Sequence, residues 1–363
     1  MNQNRDNQID VGRLAAGFVR LPRPLQILLG VLAAGAVVVG GVMYLRQNGK
    51  TTAVSTQPVS PSVTQAAVPA PSTPPPPPGT TTVAGSSPDG TTPAPQIDTP
   101  NLTLGNPSQA TTSIARRDNY LVVRPAYALS FNDDLGTANW VSWRIIRADF
   151  GQSPREVEFL ADPMLPPPFK QIGHRDYTGS GFDRGHMCPK GDRGGDRDKV
   201  ASTFYTSNII PQAANVNQKA WNNLENYTRD LVGQKRQRVY VITGPAGRGG
   251  TGLNGYKETV GYGKVVVPAE CWKVVVAIPD TGKPTDEPQS ISASARVIAV
   301  IMPNDQTKVG DDWAKFRTTP AEIERKTKLR FFDRLKPDVA ETLRQRQDKV
   351  VIPPVDANRF SRD

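Results

Sequence analysis

The sequence predicts an α+β domain over residues 113–340. Three observations carry this: short β-rich runs bounded by Gly and Pro, one run with apolar residues at helical spacing, and a capping box opening a second helix. Nothing in the pattern repeats at a fixed period.

Tyr120 to Val123 and Tyr127 to Phe131 read as strands, separated from the next strand, Trp140 to Ile146, by a turn through Asn132-Asp133-Asp134 closed by Gly136. Asn217 to Val232 reads as a helix, because Ala220, Leu224, Tyr227 and Leu231 recur on one face. Val239 to Thr243, Lys264 to Val267, Trp272 to Ile278 and Val297 to Ile301 are further strands. The Gly-rich run Gly244 to Gly255 lacks the Lys-Ser/Thr of a phosphate-binding P-loop and reads as a loop between strands. Thr319 to Glu322 has the form of a capping box, with Pro320 at the first helical position, and predicts a helix to about Leu335.

Upstream the composition changes. Residues 1–24 are polar and carry Arg5, Arg13, Arg20 and Arg23; residues 25–45 are apolar apart from Gln26. A helix of that length spans ~30 Å, the hydrocarbon thickness of a bilayer. The arginines before it favour a cytoplasmic N-terminus, which predicts a signal-anchor with everything after Leu45 outside the cytoplasm, periplasmic or extracellular. Ala34-Gly35-Ala36 offers a cleavage site and hence a secreted alternative, but the apolar run continues through Val37, Val38 and Val39, which favours the uncleaved anchor. Residues 46–112, rich in Pro, Thr, Ser and Ala with Pro74 to Pro78 consecutive, read as a disordered linker. Residues 341–363 read as a polar C-terminal tail.

The formal charge of +10 suits a polyanionic partner, nucleic acid or anionic lipid, without choosing between them. Two cysteines, Cys188 and Cys271, exclude a disulfide scaffold and leave one bridge open; imidazole chemistry rests on His174 or His186 alone. His174 lies in a polar loop and reads as a surface residue. The sign-mixed stretch Lys190 to Arg197 reads as a solvated loop or one that touches phosphates.

Two segments carry chemistry. Asp183-Arg184-Gly185-His186 joins a carboxylate, a guanidinium and an imidazole within four residues. Phosphodiester hydrolysis needs a base near neutral pH and positive charge around the phosphoryl oxygens, which His and Arg supply; Gly allows close approach of the backbone to a substrate. Taken alone, the motif is equally compatible with a structural turn. The second segment, Ser207 to Gln212, leads to Asn217, Trp221 and Glu225. Asn217 falls near the start of the expected helix and Glu225 two turns on, ~12 Å along its axis. One amide oxygen with a carboxylate organising waters suits Mg²⁺, which keeps much of its water shell. A helix-capping Asn and a surface acid are the plainer alternative.

The ordered set Asp183-Arg184-Gly185-His186, Asn208-x-x-Pro211-Gln212, Asn217, Trp221 and Leu224-Glu225 resembles the DNA/RNA non-specific endonuclease family of the ββα-metal superfamily, over about Tyr120 to Leu335. The resemblance implies a ββα-metal nuclease fold with a central, mostly antiparallel sheet flanked by helices. It implies His186 as general base, Asn217 as the direct ligand of Mg²⁺ (or Mn²⁺), and Glu225 as the acid that fixes the ion's waters. Asn208 is implied as an active-site asparagine supporting this geometry, Arg155 and Arg184 as stabilisers of transition-state charge, and Asp183 as a signature residue of structural or catalytic role. The implied reaction is hydrolysis of DNA and RNA without sequence preference, leaving 5′-phosphate and 3′-hydroxyl ends; a protein inhibitor is a further implied partner. Lys328 stands where the family often has glycine. The competing functions are a membrane-tethered nucleic-acid receptor with little or no catalysis, as in DNA uptake, and a structural envelope protein that uses its linker to cross a wall.

Overall fold

The computed structural model describes residues 97–152, 157–282 and 287–352. The expected anchor at 25–45, most of the linker, and Arg155 lie outside these residues. Among the described residues no helix is long and apolar enough to cross a membrane.

In chain order the strands are β1 Tyr120–Val123, β2 Ala128–Asn132, β3 Thr137–Ile145, β4 Asp183–His186, β5 Ile209–Gln212, β6 Gln237–Ala246, β7 Gly250–Gly252, β8 Gly255–Lys257, β9 Thr259–Val260, β10 Val265–Val266, β11 Glu270–Pro279, β12 Arg296–Pro303 and β13 Arg317–Thr318. The α-helices are α1 Arg197–Thr203, α2 Asn222–Gly233, α3 Pro320–Thr327 and α4 Pro337–Arg344. Seven strands form one antiparallel sheet in the order β1-β2-β3-β6-β11-β12-β13, which with the helices makes the domain α+β as expected. β6 and β11 are apolar almost throughout because they are buried on both faces. Alternate residues divide between two cores: Val239, Val241 and Val275 on one face, and Tyr240, Ile242, Val274 and Val276 on the other. The first core also holds β5, Met187 and the start of α2; the second holds Leu329, Phe331 and Leu343.

The long strands and the 132–136 turn stand where the sequence places them; Gly136 has φ +66° and its N–H donates to the Asn132 carbonyl at 2.9 Å. Four expectations are corrected. First, the ordered chain starts before residue 113: Thr99 caps a 3₁₀ turn at Pro100–Leu102, Leu102, Leu104 and Ala110 enter the second core, and Ser142 donates to the Asn101 carbonyl at 2.7 Å. The Pro/Thr composition hid these few apolar anchors. Second, the 244–255 run is not a plain loop, because it contains the end of β6 and the β7–β8 hairpin. Third, α3 is capped by Thr319 as expected but ends at Thr327, since Lys328 adopts a left-handed φ of +63°. Burial of Leu329, Phe331 and Phe332 overrides helix propensity beyond that point. Fourth, the tail is folded past residue 341: α4 runs to Arg344, and the buried Asp348 carboxylate pairs with Arg296 at 2.9 Å and Arg317 at 3.3 Å.

A left-handed lysine is strained by its Cβ, which glycine lacks. Lys328→Gly is therefore expected to stabilise the domain by about 1 kcal/mol, read as a higher urea midpoint with an unchanged m-value. A lower midpoint would show that the Lys328 side chain is worth more than the strain.

Candidate active site

The four-residue motif is a strand rather than a loop. β4 pairs antiparallel with β5, placing Asp183 opposite Gln212, Arg184 opposite Pro211, Gly185 opposite Ile210 and His186 opposite Ile209. Gly185 serves packing rather than substrate approach: a Cβ there would lie 2.7 Å from the Cβ of the buried Gln212 and closer still to its amide oxygen. Asn208, fully buried, pins the chain just after the motif. Its Oδ1 accepts from the Cys188 N–H at 2.9 Å, and its Nδ2 donates to the carbonyls of Cys188 at 2.9 Å and Thr203 at 2.8 Å. Its side-chain hydrogen bonds thus go to backbone and hold the stretch that follows His186.

His186 lies against Phe159, with ring centroids 5.5 Å apart, and meets Phe204 edge-on at 4.8 Å. Nε2 is buried without a hydrogen-bond partner, so Nδ1 is the ring nitrogen left to exchange a proton with the site. Burial, with a smaller contribution from Lys190, pushes the imidazole down to about 4, so it is neutral at pH 7 and able to accept a proton. Arg184 lies over the Phe159 ring at 5.6 Å, and its Nη2 donates to the His174 carbonyl at 3.2 Å and Thr178 Oγ1 at 3.0 Å and lies 3.1 Å from His174 Nε2.

The other end of β4 faces the helix. Asp183 Oδ2 accepts from Asn217 Nδ2 at 2.9 Å and from Gln218 Nε2 at 2.8 Å. Fixing the NH₂ of Asn217 fixes its amide plane and commits Oδ1 to the opposite side. Asn217 lies in a π-helical turn, Val216–Trp221, that runs into α2. Such a turn re-aims side chains within an otherwise regular helix and is frequent at functional sites. His186 and Asp183 are three residues apart on β4, about 10 Å by strand rise and of opposite parity along it, whereas Arg184 and His186 are two apart and of like parity. Further along α2, Glu225 is largely buried and its Oε1 accepts from Lys273 Nζ at 3.1 Å. Burial raises its carboxyl and the Lys273 charge opposes that.

Among the described residues no group of three His, Cys, Asp or Glu is placed to hold a metal ion. One amide oxygen with nearby carboxylates suits only an ion that keeps most of its own water, so the donor set fits a hydrated divalent cation of the Mg²⁺ type.

Compared with known proteins, residues 105–338 match the family model for DNA/RNA non-specific endonucleases. The chain belongs to the DNA/RNA non-specific endonuclease family. A nuclease of Nostoc sp. is 37% identical to this endonuclease over 248 residues, 68% of this chain and 86% of that protein. A nuclease of Serratia marcescens is 30% identical over 252 residues, 68% and 85% of the two chains. The mitochondrial nuclease EXOG of Homo sapiens is 31% identical over 215 residues, 58% of this chain and 56% of EXOG. Among solved structures, a chain of the EndoG/EndoGI complex, described as showing the mechanism of EndoG inhibition, aligns with a TM-score of 0.50 and 27% identity, covering 60% of this chain and 87% of that one. The fold is that of a ββα-metal nuclease: β4, β5 and the helix from Val216 are its ββα unit.

The endonuclease differs from expectation around this unit. His174 is exposed, as read, yet it borders the site by holding Arg184. Asp192 and Arg193 are buried, not solvated: Arg193 donates to the carbonyls of Ala126, Asp192 and Arg144, and Asp192 accepts from Trp143 Nε1 and Arg229 at 3.0 Å each. Cys188 and Cys271 are both free and buried; burial raises both thiols, that of Cys271 to about 12. Three groups of the site were missed. Phe159 and Phe204 join His186 only through the fold, and Lys273 reads in sequence as one lysine in an apolar strand.

If Asp183 orients Asn217, Asp183→Ala should lower activity by about 10–100-fold and raise the divalent-ion concentration needed for half-maximal rate. Titrating the ion at saturating substrate checks this; an unchanged half-saturation point would assign Asp183 to folding alone.

Proposed function

We propose that this endonuclease is sugar-non-specific, hydrolysing phosphodiester bonds of DNA and RNA with a hydrated divalent ion, Mg²⁺ or Mn²⁺, and leaving 5′-phosphate and 3′-hydroxyl ends. The supporting observation is the arrangement along β4: Arg184 and His186 are of like parity, two residues apart, and Asp183, the neighbour of Arg184, is tied to Asn217 of the helix. His186 Nδ1 takes the proton of the attacking water. The negative charge of a bound phosphodiester favours the imidazolium and strengthens a base that is weak in the free protein. Arg184, held by His174 and Thr178, presents charge to the phosphoryl oxygens, and Arg155 is assigned the same task. Asn217, oriented by Asp183, would hold the ion directly and Glu225 would hold its waters. Bound there, the ion supplies positive charge to the transition state and a proton source for the departing 3′ oxygen. None of these groups reads a base, so low sequence preference follows.

The test incubates the full chain with plasmid and with RNA, with Mg²⁺ or chelator, beside His186→Ala. Cleavage of both polymers only with the ion, with products that accept a new 5′ label only after phosphatase treatment, is the expected result. Binding without cleavage would instead favour the nucleic-acid receptor. Affinity should fall steeply with salt, because phosphate contacts release counterions. We further propose that residues 25–45 anchor the chain with the nuclease domain outside the cytoplasm. Extraction by carbonate at high pH, leaving the chain with the membrane, and digestion of the domain by external protease on intact cells test this. A protein inhibitor is a proposed partner by analogy with EndoG in its complex with EndoGI.

A further inference from the structure

Lys273 lies mid-strand in β11, opposite Thr243 of β6 and Val300 of β12, with its side chain only 2% exposed. The residues beside it in the strand, Trp272 and Val274, are apolar and buried. A buried ammonium is unfavourable unless closely matched, and an apolar residue in such a place is commonly as stable or more so. The matching groups are few and specific. Nζ is 3.1 Å from Glu225 Oε1, 4.2 Å from the Trp221 ring centre and 5.9 Å from that of Trp143. The neighbouring cation, Arg229, is directed to Asp192 at 3.0 Å, and Asp192 also accepts from Trp143 Nε1. Lys273 is therefore the ion-pair partner of Glu225, and one wall of its cage, Trp221, stands one helical turn before Glu225 on the face they share.

We propose that Lys273 is a positioning residue for catalysis: it reaches out of the sheet to hold Glu225 by one carboxylate oxygen and leaves the other to the site. This rests on the role given to Glu225 above and extends it. A carboxylate that must organise mobile waters needs a fixed rotamer, and a side chain on a helix has no such restraint of its own. The Lys273 stem is locked in a central strand, and the two indole faces confine its ammonium. The sheet thus transmits its rigidity to the helix-borne acid.

A double-mutant cycle on the full chain tests this, using Lys273→Met, Glu225→Gln and the pair. With Glu225 present, Lys273→Met should lower kcat by about 10–100-fold, the range for groups that orient a metal's surroundings. With Glu225→Gln already in place, the same change should lower kcat no further. The paired variant carries no unmatched buried charge, and its melting curve controls for folding. A second measurement is independent of turnover: Mn²⁺ affinity, followed by the paramagnetic signal of free ion in a His186→Ala background, should weaken about 10-fold on Lys273→Met. Equal losses in both backgrounds, or unchanged Mn²⁺ affinity, would overturn the proposal, and so would a fully active Glu225→Gln. If the wild-type chain cleaves nothing, the nuclease reading fails, and the Mn²⁺ measurement still decides whether Lys273 acts on the site.

Discussion

His186→Ala should lower kcat by about 10²–10⁴-fold, because that is what a positioned base contributes and no second imidazole can replace it. His174, the other histidine, is engaged with Arg184. The variant should keep its affinity for nucleic acid and for the divalent ion, since neither is assigned to the imidazole. Retention of a tenth of the activity would remove His186 from the mechanism. The pH dependence carries a sign. Burial depresses the imidazole from its usual 6.5 to about 4, so the base stays neutral well into the acid range. The free-enzyme profile, kcat/KM against pH, should be level near neutrality and fall as pH drops toward 4. Stability follows the same group: the unfolded chain binds this proton below 6.5, the folded one only near 4, so stability is complete above 6.5 and is lost as pH falls through that window. His186→Ala should therefore lose less melting temperature than wild type between pH 7 and pH 4.5.

Asn217→Ala should be the other severe loss, at least about 100-fold, since it removes the one protein ligand assigned to the ion and even outer partners of metal sites matter 10–100-fold. Its signature differs from that of His186→Ala. Raising Mg²⁺ or Mn²⁺ should restore part of the Asn217→Ala rate, because the defect lies in affinity, whereas no concentration of ion should rescue the lost base. Kinetics over a wide ion range separate the two; a rate for Asn217→Ala that does not respond to added ion would count against direct ligation. The Asp183–Asn217 hydrogen bond makes a milder version of the same defect expected in Asp183→Ala.

Much of the fold was legible because burial repeats along the chain. β6 and β11 are apolar runs, and α2 shows its buried face through Leu224 and Leu231. The ββα unit itself was legible as a motif but not as structure. Asp-Arg-Gly-His carries no apolar alternation, since three of its residues are polar and the fourth has no side chain, so nothing marks it as a strand. The π-helical turn at Val216–Trp221 leaves no local signal either: the same residues fit an α-helix, and only the fold selects the wider turn. Lys273 pairs with a residue 48 positions away, and Phe204 and Phe159 meet His186 through tertiary contact, a kind of information that spacing cannot hold. The early start of the folded region was hidden for the opposite reason, since Leu102 and Leu104 are too few to outweigh the prolines and threonines around them.

Those two leucines have a consequence for handling the enzyme. They dock on the sheet surface opposite the one that packs β5 and Met187, so the incoming chain joins the domain from behind. A bead, dye or fusion partner attached ahead of residue 97 would pull on that reverse side, leaving the face that carries the proposed site open to a polymer as bulky as duplex DNA. Immobilisation through the C-terminal end offers no such assurance, because Asp348 already clasps Arg296 and Arg317 at the sheet edge.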